Sequence, residues 1–381
     1  MTKQTPALSR LIRWALLGVF LASTPAAAAD ALRLAPVWAR LADQNGEWGS
    51  VESAEFSPDG RYVVTGSKFD WQIVMWRTSD GGEVWRRGVD DEIEHVAFSP
   101  DGALVAAVSE DFMLRVLRAD DGELVHQFKH DQGIDAVAWS HDGRWLATGE
   151  ERTRNAQGAR VGKVRVFAMP AFTLAHQVDH GDTVNGLDFS ADDRLLLSAG
   201  HGEARTWSTD GFTLVRRFKL AEQPDPVSRP GLVSGRFSPD GAMIAAGGFG
   251  GDVYVWETAT GRVLRRFNRS SVKIETVEWS PDGRYLLHAG RNRYIWVFRT
   301  ADILNPDIGH DTLPIVHKAD ANDNCEHLQF DAEGRKLVSA HQDGMVRLWV
   351  FMSEDRSVNR LANQALQARQ RAQAKERGAK Q

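Results

Sequence analysis

Apolar and polar residues alternate along this chain in short runs, paired around one tight-turn signature. Residues 56–60 read Phe-Ser-Pro-Asp-Gly; Val51, Ser53 and Phe56 lead in, and Tyr62 and Val64 follow. Period-two alternation predicts a strand on each side. Pro58 presets φ for the first central position of a type I turn, Asp59 suits the second, and Gly60 can take the left-handed φ that closes a bulged hairpin. The unit recurs at 98–102, 139–143, 189–193, 237–241, 279–283 and 330–334, at intervals of 42, 41, 50, 48, 42 and 51 residues. Seven copies at this period imply blades of one repeat array, not separate domains.

A third strand follows each hairpin and ends in a large apolar side chain: Trp76, Leu117, Phe167, Trp207, Trp256, Phe298 and Trp349. Turns at Gly81, Gly122, Gly211 and Gly261 then lead to a fourth, outer strand. No outer-strand pattern follows Trp349. Residues 32–41 can supply it, with Leu34, Val37 and Trp38 as apolar groups and Pro36 tolerable on an edge. The expected fold is all-β: a seven-bladed β-propeller of four-stranded antiparallel blades. The N-terminal strand closes the last blade and removes the open edge.

The turn, the third strand ending in Trp and the following Thr-Gly or Asp-Gly turn together resemble the WD-repeat propellers, over nearly all of residues 32–351. The resemblance implies structural roles for Trp76, Trp207, Trp256 and Trp349, for Asp70, Asp111 and Asp343 six residues ahead of a third-strand end, and for His130 and His180 ahead of a first strand. The repeats are divergent: Arg77, Ser208, Glu257 and Val350 stand where the family often has Asp after Trp.

The two ends read differently from the body. Residues 1–29 have Lys3, Arg10 and Arg13, an apolar run over 14–22 and a small-residue stretch ending in Ala27-Ala28-Ala29. This predicts a secretory signal peptide cleaved after Ala29, and hence a periplasmic protein with no stable transmembrane anchor. Residues 30–355 are expected to form the propeller, about 47 residues per blade. Residues 356–381 predict a helical or disordered tail with seven basic residues and one acid. The body carries 36 basic and 50 acidic side chains, a balance that argues against nucleic-acid partners. Cys325 is the single cysteine, so the core alone must hold the fold.

No nucleophile elbow, phosphate-binding loop or haem-attachment motif is present, and no cofactor or enzymatic activity is expected. The stretch 310–327 gathers potential metal ligands, of which His310, His317, Cys325 and His327 are weak candidates without a known ligand spacing. Alternation places Cys325 and His327 on one side of an incoming strand. Residues 320–324 resemble the start of a calcium loop, but Cys325 stands where that loop needs Gly.

Long connections at 150–161, 220–232 and 302–326 offer further sites. In WD-repeat proteins, partners meet the face made by the turns between second and third strands and the links between blades. Carried onto this chain, that face offers Trp48, Lys68, Phe69, Arg152, Arg154, His201, Phe249, Arg291 and Arg293. The resulting expectation is an exported scaffold that binds a protein or peptide through one face of the ring. The alternatives are a metal- or cofactor-bearing propeller enzyme, redox or hydrolytic, and a binder of cell-envelope carbohydrate.

Overall fold

The computed structural model describes residues 32–45, 49–220, 231–269 and 271–352; the signal-like segment, Trp48 and the basic tail lie outside them. Seven four-stranded antiparallel sheets follow one another around a central channel. In blade one the strands are Val51–Phe56, Tyr62–Ser67, Gln72–Arg77 and Glu83–Gly88, ordered from the channel outward. The turn signature works as its residues predict. Gly60 has φ 66°, the Ser57 amide donates to the Tyr62 carbonyl at 2.9 Å, and the Tyr62 amide donates to Ser57 Oγ at 2.9 Å. In blade four Asp193 takes the glycine's place at φ 54°, and its carboxylate accepts the His141 and Asp142 amides of blade three at 2.8 and 2.7 Å.

Each sheet is apolar on both faces because it packs between two others. Between blades one and two, Val64, Ile73, Met75 and Trp85 meet Ile93, Val96, Phe98 and Val105. The ring closes as expected. Arg33–Leu41 pairs antiparallel with Met345–Met352, with Leu34 opposite Phe351 and Leu41 opposite Met345. Pro36 sits on this edge strand at a register shift, where its missing N–H costs nothing to the ladder. Trp38 donates its indole N–H to the Thr78 carbonyl of blade one at 2.9 Å, fastening the last blade to the first.

Two expectations need correction. Residues 302–326 are not one open connection. They hold a short helix at Thr300–Leu304, a helical turn at His310–Thr312 and the strand His317–Asp320, which is the outer strand of blade six. Cys325 and His327 do not share a face. A register shift between them turns Cys325 into the buried core between blades six and seven and His327 toward the channel. Asp320 pairs with Arg293 and caps the Asn322 amide at 2.9 Å, so the calcium-like segment is an Asx turn. Among the described residues no helix is long and apolar enough to cross a membrane.

The third-strand tryptophans are pinned from the second strand. Trp76 donates to Thr65 Oγ1 at 3.0 Å, Trp207 to Ser198 Oγ at 2.8 Å and Trp349 to Ser339 Oγ at 2.7 Å. His180 Nδ1 adds a second bond to Ser198 at 2.8 Å, while His130 instead meets Glu150 at 2.7 Å. Asp70, Asp111 and Asp343 hold their turns: Asp70 Oδ2 accepts the Gln44 amide at 2.8 Å, Asp111 the Met113 amide at 3.0 Å and Asp343 the Met345 amide at 3.1 Å. Blade five departs from the pattern. Ile244 pairs with Trp256, so Ala246, two residues on, stands where Thr65 stands in blade one, and the buried Trp256 N–H has no partner. Ala246→Ser supplies the missing acceptor. It is expected to stabilise the fold by about 1 kcal/mol in chemical denaturation, the usual gain from satisfying a buried donor.

Candidate functional site

Every first strand carries one extra residue. The register slips between Val51 and Ser53, Ile93 and His95, Ile134 and Ala136, Val184 and Gly186, Leu232 and Ser234, Ile274 and Thr276, and Cys325 and His327. A bulge of this kind re-aims a side chain that the pleat would otherwise place elsewhere. The seven skipped residues are Glu52, Glu94, Asp135, Asn185, Val233, Glu275 and Glu326, and all seven line one cavity at the mouth of the channel. Five of the seven are carboxylic acids.

The mouth encloses about 550 Å³. It opens on the face made by the second-to-third-strand turns and the links between blades. Those turns and links add Lys68, Phe69, Glu92, Glu110, Glu151, Lys273 and Arg291. The cations are grouped. Lys68 meets Glu92 at 2.9 Å, and Lys273 and Arg291 both meet the buried Glu275, at 2.6 and 2.9 Å. On the side formed by blades two and three, Glu110, Asp135 and Glu151 bring carboxylate oxygens within 4.8 Å of one another, as do Glu92, Glu94 and Glu110. Gly133 leaves room there, since a Cβ on it would lie 2.2 Å from a Glu110 carboxylate oxygen.

Burial dominates the acid strengths. Burial and then Glu151 push Glu110 up to about 7, and the same kind of surroundings carry Glu326 to about 8. Asp135 and Glu94 are held well above the ordinary range, chiefly by burial and then by Glu151 and Glu52 respectively.

Below the mouth, His95, His327 and Arg236 narrow the channel. The two rings meet edge-on at 5.1 Å, and His327 Nδ1 lies 2.9 Å from the Ala54 carbonyl oxygen. Beneath them the channel side chains tie blades together. Glu55 accepts the Phe98 amide at 2.9 Å, Asp188 the Phe237 amide at 2.7 Å, Glu278 the Phe330 amide at 3.2 Å and Gln329 the Phe56 amide at 2.6 Å. This lower layer is structural.

The residues expected on the binding face divide. Lys68, Phe69 and Arg291 line the mouth. Phe249 is exposed but braces its surroundings, lying 5.1 Å from the His201 ring and under Lys273 Nζ at 4.9 Å. Arg293 is engaged by Asp320 at 2.9 Å, and Arg152 by Asp182 at 3.3 Å. Arg154 sits on a two-stranded extension, Thr153–Arg154 with Arg160–Val161, and bonds only within it, to the Gly158 carbonyl at 2.7 Å. His310, His317, Cys325 and His327 lie on three elements, with Cys325 and His327 on one strand but facing apart; His310 Nδ1 sits 2.7 Å from the Arg266 carbonyl oxygen, and the ligand-like groups among the described residues include none of the four.

The acidic ring escaped the reading of the sequence, although a signal for it exists. Aligned on their turns, the first strands begin Val-Glu-Ser, Ile-Glu-His, Ile-Asp-Ala, Val-Asn-Gly, Leu-Val-Ser, Ile-Glu-Thr and Cys-Glu-His, with an acid column in second place.

Comparison with known proteins adds the family. The WD domain, G-beta repeat family matches residues 40–77, 172–208, 231–257 and 315–350, and the anaphase-promoting complex subunit 4 WD40 domain family matches 65–142. The chain is a WD-repeat propeller. A fission-yeast relative, target of rapamycin complex subunit wat1, is 26% identical over 68% of this chain and 73% of its own length. A WD repeat-containing protein 26 homolog of Arabidopsis thaliana is 22% identical over 61% of this chain, which spans only 45% of that protein. Small ribosomal subunit protein RACK1z of the same plant is 31% identical over 29% of this chain and 37% of its own length.

The WD-repeat ring therefore carries two opposed sets of buried titrating groups. Carboxyls raised to 7–8, such as Glu110 and Glu326, favour the protonated folded state, so stability falls as pH rises through that range. Burial depresses His180, His288 and His341 to about 3, so their contribution is complete above about 6.5 and is lost as pH falls toward 3. His288 is the cleanest case, because neither ring nitrogen has a hydrogen-bond partner. Melting temperatures across pH 4–9 should decline at both ends. Glu326→Gln should flatten the alkaline limb, and His288→Leu the acid limb.

Proposed function

We propose that this WD-repeat protein is an exported, non-enzymatic scaffold that binds a protein partner through the face bearing the channel mouth. WD-repeat propellers are typically protein-interaction scaffolds, and the relatives include a named subunit of a larger complex. The observation that carries the choice of face is its aromatic exposure. Phe69 is 43% exposed at the mouth, and Trp71 in the same turn is also 43% exposed. Phe112, 38% exposed, occupies the matching turn of the next blade. Exposed rings on a rigid scaffold are the side chains that dominate binding energy at interfaces.

The signal-like pattern of residues 1–29 supports export, and on that reading the partner is a protein of the cell envelope. Phe69 and Trp71 are the residues to test, in preference to Phe249 and Arg291. Phe249 braces a link, and removing Arg291 would strip a cation from buried Glu275.

Crosslinking in intact source cells, followed by affinity purification of the tagged chain, tests the reading. One dominant envelope protein should be captured. Phe69→Ala with Trp71→Ala should reduce its recovery at least tenfold with the melting temperature unchanged. Undiminished capture by this variant would remove the face assignment.

A further inference from the structure

The chemistry of the partner can be taken further, on the assumption that the mouth-bearing face is the binding face. Eight carboxylic acids line the mouth against four cations, and one of those, Arg236, lies at its floor, 3.6 Å from Glu278. The remaining three are engaged by Glu92 and Glu275. Among the described residues no ion pair reaches Glu110, Asp135 or Glu151, though they stand close enough to repel one another. The bulge on the first strand of blade three aims Asp135 into the mouth, and Gly133 leaves room beside it for the Glu110 carboxylate.

A second, independent feature lies on the same turns. Trp71 has φ 56° and Phe112 φ 71°, in the left-handed region that large side chains disfavour. Gly202, Gly251 and Gly344 occupy the matching turns of blades four, five and seven, also at positive φ. Blades one and two thus keep exposed aromatic rings where blades four, five and seven use glycine; blade six has Arg293 there, at φ 56°. Their turns also carry Phe69 and Glu110, which line the mouth.

We infer that this face receives an extended, basic segment of a protein partner. One Lys or Arg side chain enters the mouth against Glu110, Asp135 and Glu151, and neighbouring apolar side chains lie on Phe69, Trp71 and Phe112. Charge complementarity selects the cation. The volume selects a side chain over a bare ion, since an ion with its ligands would leave most of 550 Å³ to water. The aromatic rings select an amphipathic segment over a polyamine, and they also attract cations through their faces. An acidic or phosphorylated segment would be repelled.

Fluorescence anisotropy with labelled ten-residue peptides provides the test, using the mature chain at 50 and 300 mM salt. The probes are an alternating Lys-Leu peptide and its Glu-Leu and Gln-Leu counterparts. The Lys-Leu peptide should bind at least tenfold tighter than either, and more weakly at the higher salt. Glu110→Gln with Glu151→Gln should lower its affinity about tenfold without lowering the melting temperature. Asp120→Asn with Asp210→Asn, on the opposite face, should leave affinity unchanged. Equal loss in both double variants would mean diffuse attraction to an acidic protein and would overturn the inference. So would equal binding of the Glu-Leu peptide. Calcium binding that Glu110→Gln abolishes, without peptide discrimination, would overturn it in favour of a metal site. The two readings fail separately: capture that survives Glu110→Gln with Glu151→Gln but is lost in Phe69→Ala with Trp71→Ala keeps the face and removes only the basic-segment assignment.

Discussion

Closure of the ring is the constraint on which the rest of this molecule depends. Each blade is apolar on both faces, so no blade can be stable unless it has a neighbour on each side. The chain meets this requirement by splitting one blade between its ends: Arg33–Leu41 completes the sheet begun by Cys325–Phe330, Lys336–His341 and Met345–Met352. Trp38 then reaches across to the Thr78 carbonyl. The seam is covered by backbone pairing, buried side chains and an indole hydrogen bond together. A loss at the seam would expose two apolar sheet faces and the edge of blade seven, so its energetic weight exceeds that of any one contact in it.

A closed ring also creates a narrow space that the chain must fill or line. The lower half is lined productively, because Glu55, Asp188, Glu278 and Gln329 turn channel-facing polar groups into acceptors for backbone amides of the next blade. The upper half is different. There the bulges aim Glu52, Glu94, Asp135, Glu275 and Glu326 into a shared cavity whose cations satisfy only part of them. The two layers sit one above the other on the same strands, yet one is satisfied by the fold and the other is not. That contrast separates structure from function in this channel: polar groups that complete hydrogen bonds hold the ring, and groups left in mutual repulsion are available to a ligand.

Much of the architecture was legible because it depends on local rules. The tight turn needs particular backbone angles and shows itself seven times, four as Ser-Pro-Asp-Gly and three as close variants. The outer strand of the last blade was traceable because its apolar residues had no other place in the repeat. The channel mouth was hidden for a physical reason. Strand reading assumes period two, and one inserted residue per first strand breaks it at Glu52 and its counterparts, so the acids appear to belong to ordinary alternation. The same slip separated Cys325 from His327. The outer strand His317–Asp320 was missed because a polar edge strand resembles a loop. Trp71 and Phe112 carry no signal in composition at all; their meaning lies in a positive φ that only coordinates reveal.

The cost of such a mouth bears on how the protein works. Carboxyls raised toward neutrality by burial are partly protonated near pH 7, which limits repulsion in the free protein. A cation entering the mouth would draw them into the ionised form, so binding would be coupled to release of protons. The destabilisation is tolerable because it falls on a face whose strands are already committed at both ends: inward to neighbouring blades by the lower channel bonds, and outward by the Trp76, Trp207 and Trp349 pins. Rigidity supplied by closure thus permits a strained electrostatic surface that a smaller or open sheet could not hold.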